Sequence, residues 1–356
     1  MLKDMRLEQL NILVPEMKSF LSLRYRVLRN LYYFQPVGRR LLARYLSETE
    51  RVLRKELDLL KKQGLVKVSR GGMELTPEGM NIVLNMRPYL HKLLGLTDLE
   101  EKLKGLLQVK EVIVVSGDME VEQAVRYEVG RAGAQALCQS LRDNVVIAFS
   151  GGTTCAAVAE MMPFISEYKG LKVVPARGGL GEEIHYQANS IAARVAEKLH
   201  CSYRLLHLPD SLAEETLQAL LQDPKIVEVL EVINSAQILV HGIGTAREMA
   251  LRRGAGGEEI KNLLEKGAVG EIFGVFFNCE GEVVGQVPSL GLYLENLNTT
   301  LKNIIVVAGG KRKAEAIAAI LRNHPRDLLV TDEGAAREII RLCGGERDKE
   351  AHSCKY

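Results

Sequence analysis

Residues 145–162 read VVIAFSGGTTCAAVAEMM: an apolar run, two glycines, two threonines and an alanine-rich stretch. The run Val145–Ser150 is apolar nearly throughout, as buried parallel strands are. The glycines permit a tight turn, and the stretch Ala156–Met162 is typical of a helix. The segment therefore predicts a strand that turns directly into a helix, which is the repeating unit of an α/β sheet.

The same alternation of strands and helices continues on both sides of this segment. Further strands are predicted at Glu111–Val115, Leu171–Ala176, Tyr203–Pro209, Ile238–Ile243, Ile304–Ala308 and Leu328–Thr331. Helices are predicted between most of them, for example at Gln123–Leu141 and Lys313–Arg322. We expect a mostly parallel, Rossmann-like α/β sheet domain with helices on both faces. An antiparallel insertion is expected at Phe273–Phe277 and Glu282–Gln286.

Ligands of such sheets bind beyond the carboxyl ends of the strands, so the loops at these ends are candidate sites. Gly152, Thr153 and Thr154 follow the strand at 145–150. Glycine backbone, helix N–H groups and threonine hydroxyls suit a phosphate. A plain strand-to-helix turn capped by one threonine explains this loop equally well on its own. It is not a Walker loop, because no lysine followed by serine or threonine completes it.

Three more loops lie at the same predicted edge. Arg177–Gly181 surrounds one arginine with glycines, which suits a charged group held against bare backbone. His241–Thr245 lacks the last glycine of a dinucleotide fingerprint, so a nicotinamide cofactor is not expected. Gly309–Lys313 places three cations at a helix N-terminus, against the helix dipole, which favours their retention for an anion. The loops together predict a phosphorylated ligand, and Arg252 and Glu271, the latter in a predicted loop, are candidates to complete its pocket.

The first 95 residues differ from the rest in charge. They hold 18 Lys and Arg against 9 Asp and Glu, whereas the remainder holds 29 against 36, so the net charge of +2 hides a basic and an acidic segment. Such asymmetry indicates a polyanion as partner of the basic segment. A basic surface without a partner is the alternative.

Within the basic segment the pattern predicts a helix-turn-helix. A short helix at Arg39–Leu46, predicted to bury Leu41, precedes a longer one that is predicted to have Ser47 as its N-cap and to bury Val52. The glycines at 71 and 72 separate two alternating runs and predict a β-hairpin. A further helix is predicted at 23–34, before these two helices. Three helices followed by a hairpin form a winged helix-turn-helix, which favours DNA binding over an ordinary charged surface helix.

In that fold the second helix of the motif enters the major groove. The residues predicted to contact DNA are Arg39, Arg40, Thr49, Arg51, Arg54, Lys55 and Arg70. Arg51 or Arg54 suits a bidentate bond to guanine, whereas Lys55 suits a phosphate.

We divide the chain into a winged-helix DNA-binding domain at 1–95, a helical linker at 96–109, an effector-binding and oligomerisation domain at 110–345 and a tail at 346–356. The helix predicted at Leu96–Leu107 is interpreted as a spacer or a self-association element. No uncharged apolar run of about 18 residues predicts a membrane span, and the charged start does not predict export. Six scattered cysteines indicate a reducing cytoplasm, without structural zinc or disulfides.

Several motifs, taken in order, resemble the SorC family of sugar-responsive transcriptional regulators. They are GRRLLARYLSETERVLRKELDLLKKQGLV at 38–66, SGGTTCAAVAEMM at 150–162, VPARGGLGEEIHYQANSIAARVAEK at 174–198, LVHGIGTAREMALRR at 239–253, VAGGKRKAEAIAAIL at 307–321 and VTDEGAAREI at 330–339. The succession of GGTT, ARGGLGE and AGGxxKAEAI is specific, and the resemblance covers nearly the whole chain.

The resemblance implies a cytoplasmic repressor of glycolytic genes whose inducer is fructose 1,6-bisphosphate. It also implies an effector domain similar to sugar-phosphate isomerases but without catalytic residues, cofactor or metal. The effector-binding residues that it implies are Gly152, Thr153 and Thr154 for a phosphate, Arg177, Arg252 and Lys313 as cations, and Gln187 and Glu271 for the sugar. Lys311 competes with Lys313 for its role.

The alternative function is that of a sugar-phosphate isomerase or deaminase-like enzyme with a fused regulatory module. Such an enzyme needs a general base, for which Glu182, Glu183, His185 and Glu271 are the nearby candidates. Each is explained more simply as a surface residue or a ligand contact.

For the regulator we expect operator DNA and a sugar phosphate as partners, and no membrane. A homo-oligomer is expected, a dimer or a tetramer on DNA, because helix-turn-helix modules usually bind as pairs. The effector changes DNA affinity only by binding one conformation or assembly better than another. The helices at 77–94 and 96–107 are the expected route between the two sites.

Overall fold

Four helices and a β-hairpin form the described amino-terminal part of the protein. The computed structural model describes residues 13–181, 183–293, 301–324 and 326–344. The elements of the amino-terminal part are α1 (Glu16–Phe34), α2 (Arg39–Leu46), α3 (Glu50–Lys62), β1 (Val66–Ser69), β2 (Gly72–Leu75) and α4 (Pro77–Leu93). β1 and β2 pair antiparallel, and leucines and valines of the helices and the hairpin share one core. The predicted winged helix-turn-helix is confirmed.

The predicted N-cap of α3 is wrong. Ser47 ends α2 instead: it adopts the left-handed conformation, with φ 52°, and its N–H donates to the carbonyl of Arg44 at 3.2 Å. The next helix therefore starts later, and Thr49 is its N-cap. The Oγ1 of Thr49 accepts the N–H of Val52 at 3.3 Å, which satisfies one of the first-turn N–H groups of α3.

Two predicted core residues of the motif lie at the surface. Leu41 and Val52 are each 39% exposed. Their neighbours Leu42 and Leu53 are fully buried and fill the core-facing stripe of each helix. One residue along a helix is a turn of about 100°, so the neighbouring side chain points away from that stripe.

A parallel sheet, an antiparallel insertion and the helices that pack on them form the rest of the described chain. Its strands are β3 (Glu111–Val115), β4 (Val146–Phe149), β5 (Lys172–Pro175), β6 (Ser202–Tyr203), β7 (Ile238–His241), β8 (Gly244–Thr245), β9 (Gly270–Ile272), β10 (Val275–Phe277), β11 (Val283–Gln286), β12 (Asn303–Val307) and β13 (Leu328–Asp332). Its helices are α5 (Leu96–Leu107), α6 (Gln123–Ser140), α7 (Thr153–Met161), α8 (Ala188–Lys198), α9 (Glu214–Leu220), α10 (Pro224–Asn234), α11 (Ala246–Arg252), α12 (Gly257–Glu265), α13 (Ala314–Asn323) and α14 (Glu333–Gly344).

The main sheet has seven strands in the order β3-β13-β12-β7-β4-β5-β6, and every neighbouring pair is parallel. One face packs on α5, α10, α13 and α14, and the other on α6, α7 and α8. The inner strands β7 and β13 are buried along their whole length, as expected when helices cover both faces. The predicted α/β architecture is confirmed.

The helix α5, which the sequence analysis assigns to a linker, packs on this sheet. Leu96, Leu99, Leu103 and Leu107 are buried in the same core as β3 and α14. The predicted domain limits stay a prediction, and the predicted tail at 346–356 lies outside the described residues.

The antiparallel insertion is confirmed, in the order β11-β10-β9-β8, and it places Glu271 on strand β9 rather than in a loop. The strand predicted at Tyr203–Pro209 is wrong beyond Tyr203. Beyond the strand the segment lies against the glycine-rich loop after β5: Gly179 donates its N–H to the carbonyl of Leu208 at 2.8 Å, and Asp210 donates its N–H to the carbonyl of Gly179 at 2.7 Å. Among the described residues, the helices are all too short or too polar to cross a membrane.

Candidate functional site

A cavity opens where the strand order of the sheet changes direction. From β4 the chain continues to β5 and β6 on one side, and from β7 it continues to β12 and β13 on the other. The loops after the adjacent strands β4 and β7 therefore diverge, and such a switch point is where α/β sheets bind their ligands. Residues of both loops, Ser150–Thr154 and 242–244, line the cavity.

All eight residues predicted to bind the effector lie around this one cavity. They are Gly152, Thr153, Thr154, Arg177, Gln187, Arg252, Glu271 and Lys313. They come together because the strands are parallel, so that loops distant in sequence meet at the same edge of the sheet. Their role in binding stays a prediction.

The loop after β4 combines a glycine turn with a helix N-terminus. Gly152 has φ 116°, a conformation that favours glycine, and Thr153 is the first residue of α7. The N–H groups of the first helical turn have no partner within the helix and are available to an anion. The two threonines differ, since the hydroxyl of Thr154 is buried and donates to the carbonyl of Val307 at 2.7 Å, whereas Thr153 is half-buried.

The three cations after β12 separate in the structure. Lys311 lies 3.7 Å from a carboxylate oxygen of Glu338, and Arg312 lies 2.8 Å from Glu120. Of the three, Lys313 lines the cavity, and burial lowers the pKa of its ammonium group. The geometry therefore favours Lys313 over Lys311 as an anion ligand, and two of the three cations are matched by carboxylates of the protein itself.

Two arginines and two carboxylates form a buried cluster in the cavity wall. Arg253 Nη2 donates to Asp210 Oδ2 at 2.8 Å, and Arg177 forms an ion pair with the same carboxylate, its Nε lying 3.0 Å from Oδ1. Arg253 also lies 2.9 Å from Glu271 Oε1. Burial lowers the pKa of Arg177 and raises the pKa of Glu271.

This cluster leaves hydrogen-bond donors without acceptors. Within the part of the chain that the structure describes, Arg177 Nη2 and Arg253 Nη1 are buried and have no partner. Buried donors are normally satisfied, so such atoms are those that a bound ligand or ordered water would engage. Both residues line the cavity, and a phosphate offers the acceptors that a guanidinium fork matches best.

Asp210 and Arg253 are residues of the cavity wall that the sequence pattern does not predict. Arg253 follows Arg252 directly, and sequence spacing does not tell which of two adjacent arginines is buried. Arg252, the predicted ligand, is 38% exposed and pairs with Glu248 at 2.8 Å. Asp210 follows the segment predicted as a strand to Pro209, and it reaches the cavity because the chain leaves the sheet after Tyr203.

Gln187 holds the glycine-rich loop after β5. Its Nε2 donates to the carbonyls of Leu180, at 2.9 Å, and Gly181, at 2.6 Å, while its Oε1 accepts the N–H of Leu180 at 2.8 Å. A Cβ on Gly178 would lie 2.5 Å from the carbonyl of Leu208, so the close approach there requires glycine. Gln187 thus shapes the cavity through this loop.

The structure describes three of the four candidates for a general base. Glu183 and His185 are exposed, and the Glu271 carboxylate is held by Arg253 and by the N–H of Gly274. Glu182 lies outside the described residues.

The seven residues predicted to contact DNA are all exposed. Arg51, Arg54 and Lys55 lie on the outer face of α3, at the spacing that places side chains on one side of a helix. Arg39 and Arg40 begin α2 and lie 3.9 and 3.6 Å from Glu50, and Arg70 lies at the turn of the hairpin. Their contact with DNA stays a prediction.

Comparisons with known proteins match both parts of the chain. A family model described as "Putative sugar-binding domain" matches residues 91–341, and one described as "CggR N-terminal DNA binding domain" matches residues 20–90. The protein named Central glycolytic genes regulator of Bacillus subtilis (strain 168) is 42% identical over 329 residues, 92% of this chain and 96% of that protein. Its namesake in Priestia megaterium (strain DSM 319 / IMG 1521) is 43% identical over 331 residues, with the same coverage of 92% and 96%.

A solved structure extends the match to the fold. It is described as "The crystal structure of the putative SorC family transcriptional regulator from Enterococcus faecalis" and is 42% identical, with a TM-score of 0.64, over 68% of this chain and 99% of that chain. The chain belongs to the SorC family of sugar-binding transcriptional regulators.

In this SorC-family regulator the two parts contact each other through buried charges. Arg29 on α1 is 1% exposed and lies 2.6 Å from Glu122, which precedes α6 and is 3% exposed. Arg87 on α4 pairs with Glu128 on α6 at 2.5 Å, and Tyr33 donates its hydroxyl to the same carboxylate at 2.6 Å. The DNA-binding part is therefore held against the sheet domain by specific, desolvated contacts.

Proposed function

We propose that this SorC-family regulator represses genes of central glycolysis and that fructose 1,6-bisphosphate relieves the repression. The observation that carries the proposal is the composition of the cavity at the switch point. It combines a phosphate-type loop and Lys313 with the buried donors of Arg177 and Arg253. A sugar with a phosphate at each end has two groups for these two sets of donors. The name of the relatives in Bacillus and Priestia supports the choice of genes.

Oriented donors rather than net charge support an anionic ligand here. Arg177 and Arg253 are already balanced by Asp210 and Glu271. The carboxylate of Asp210 holds both guanidinium groups in place before a ligand arrives, and such preorganisation lowers the entropy that binding costs. The N-terminus of α7 adds a partial positive charge at the phosphate-type loop.

A thermal-shift series tests the ligand. The protein is mixed with fructose 1,6-bisphosphate, fructose 6-phosphate, glucose 6-phosphate or dihydroxyacetone phosphate. A ligand at about 100 times its Kd adds about 2.7 kcal/mol to the unfolding free energy of the state that binds it. We expect the bisphosphate to raise the Tm most. Equal effects of all four compounds, or none, would contradict the proposal, and turnover of any of them would favour the isomerase alternative.

Adjacent lysines provide a matched pair of variants. Lys313→Met removes the cation that lines the cavity, whereas Lys311→Met removes an exposed neighbour that faces Glu338. The proposal expects the stabilisation by fructose 1,6-bisphosphate to be lost in the first variant and kept in the second. The same loss in both variants would mean that the effect is one of general charge.

We further propose that the regulator acts as a homo-oligomer, a dimer or a tetramer on operator DNA, without cofactor or catalysis. Pairing of helix-turn-helix modules on a repeated operator supports this. Sedimentation velocity of the protein with and without a DNA duplex selected from a randomised pool measures the assembly. A monomer in both conditions would contradict it.

A further inference from the structure

The segment Ser116–Glu122, called here the 116–122 loop, contacts the DNA-binding part at both of its ends. Glu122 Oε1 accepts from Arg29 Nη2 at 2.6 Å and from Asn30 Nδ2 at 2.7 Å, and its Oε2 accepts from Arg26 Nε at 2.8 Å. Arg29 Nη1 also donates to the carbonyl of Ser116 at 2.9 Å. The two ends of the loop are therefore held by one helix, α1.

Arg26 continues this contact to the turn of the helix-turn-helix motif. Its Nη2 donates to the carbonyl of Leu46, the last residue of α2, at 2.6 Å. Its Nη1 lies 3.2 Å from Glu48 in the turn before α3. The hydroxyl of Ser47 in the same turn donates to the carbonyl of Val121 at 3.4 Å. The turn that sets the position of α3 thus rests directly on the 116–122 loop.

The middle of the 116–122 loop contacts the short helical turn Lys311–Lys313, whose last residue lines the cavity. Glu120 Oε1 lies 2.8 Å from Arg312 Nε, and both its oxygens lie 3.4 Å from the N–H of Arg312. The buried carboxylate of Asp332 joins the same two segments. Its Oδ2 accepts the N–H of Met119 at 2.8 Å and that of Gly310 at 3.0 Å.

We propose that the 116–122 loop couples the effector cavity to the DNA-binding helix, an inference that rests on the proposed function. Arg312 and Lys313 are neighbours in one short helical turn, Lys311–Lys313. An anion bound by Lys313 therefore changes the position of the turn to which Glu120 is hydrogen-bonded through Arg312. The anion also repels the Glu120 carboxylate. Displacement of Glu120 shifts Glu122 and, through Arg26, the turn before α3.

The contacts from α4 through α5, the route that the sequence predicts, lead to β3 and not to the cavity. His91 on α4 lies 2.9 Å from Glu100 on α5, and Glu100 accepts the N–H of Val114 at 2.8 Å. That chain of contacts stops at β3, none of whose residues line the cavity. The contacts of the 116–122 loop, by contrast, run without a gap from Lys313's turn to the end of α2.

The test compares Glu120→Gln with Glu265→Gln, which makes the same change in an exposed pair with Lys261 on α12. Three affinities are measured for each protein: for a DNA duplex selected by the wild-type protein from a randomised pool, for the same duplex with saturating fructose 1,6-bisphosphate, and for fructose 1,6-bisphosphate alone. The ratio of the two DNA affinities is the coupling, which is typically 5- to 150-fold.

We expect Glu120→Gln to reduce the coupling by about two- to five-fold, the range that one partly exposed ion pair supplies. Its DNA affinity without effector should stay within about two-fold of wild type, and Glu265→Gln should leave all three quantities unchanged. Arg312→Gln should reduce the coupling as much as Glu120→Gln, and the double variant no more than either.

The outcomes separate this inference from the function on which it rests. If the wild-type protein shows no response to fructose 1,6-bisphosphate, the proposed function fails and the inference with it. If the wild-type protein responds and Glu120→Gln responds equally, the inference alone is wrong. Additive losses in the double variant would also overturn it, because Glu120 and Arg312 would then act independently.

Discussion

The buried pair of Arg29 and Glu122 allows a quantitative prediction about how the two parts of the protein hold together. Arg29 donates to Glu122 Oε1 from Nε, at 3.2 Å, and from Nη2, at 2.6 Å, and to the carbonyl of Ser116 from Nη1, at 2.9 Å. The side chains are 1% and 3% exposed. Arg29→Met removes the charge and all three donors but keeps much of the volume.

Removal of one partner of a buried ion pair costs about 3–5 kcal/mol. Glu122 keeps Arg26 and Asn30 in the variant, so its charge is not left without any partner. We therefore expect the lower end, a loss of about 3 kcal/mol in the free energy of unfolding. Urea unfolding followed by far-ultraviolet circular dichroism measures it, since the chain has no tryptophan for fluorescence.

Arg341→Met is the matched control. Arg341 pairs with Glu338 at 2.5 Å on α14 but is 68% exposed, and its removal should leave the urea midpoint unchanged. Equal midpoints of the two variants would refute the reasoning, because the buried pair would then contribute no more than an exposed one. A second check is that Glu122→Gln costs less in the Arg29→Met background than in the wild-type protein.

Three further predictions concern DNA binding, the phosphate-type loop and pH. Arg54→Ala should weaken DNA binding by about 1–3 kcal/mol in a gel-shift assay if Arg54 bonds to a base, with fructose 1,6-bisphosphate binding intact; unchanged DNA affinity would remove Arg54 from the interface. Thr153→Val should weaken fructose 1,6-bisphosphate binding in calorimetry at nearly unchanged Tm, whereas Thr154→Val should also lose about 1–3 kcal/mol of stability, because the Val307 carbonyl loses its donor; equal Tm values would contradict this. Burial lowers the pKa of His241 from 6.5 to about 3, so the unfolded chain binds the extra proton between these values and stability falls as the pH falls through this window. Between about pH 7 and 5 the wild-type protein should lose about 2 kcal/mol more than His241→Gln in urea unfolding, and parallel curves would contradict a buried neutral imidazole.

The sequence predicts those features that depend on local pattern. Apolar runs between helices predict the strands of the main sheet, and their parallel arrangement alone is enough to bring Thr154, Arg177 and Lys313 to one edge. The edge strand β6 is the exception. Apolar residues continue after it and predict a strand as far as Pro209, but only Ser202 and Tyr203 pair with β5.

Features that depend on long-range arrangement were not predictable. Arg29 and Glu122 are 93 positions apart and come together only after both parts have folded and packed. Sequence does not tell which of Arg252 and Arg253 is the buried arginine of the site, because this depends on which side chain reaches Asp210 in the cavity wall. The start of α3 was misplaced for a different reason, since serine at 47 and threonine at 49 are both good N-caps and the left-handed end of α2 decides between them.

The packing of α5 defines where the sugar-binding part of the chain can be cut. Its four buried leucines cover one face of the sheet beside β3, so a fragment beginning at residue 110 would expose that face to water. The family match for this part begins at residue 91, ahead of α5. A fragment that keeps the core of the sheet covered therefore includes this helix.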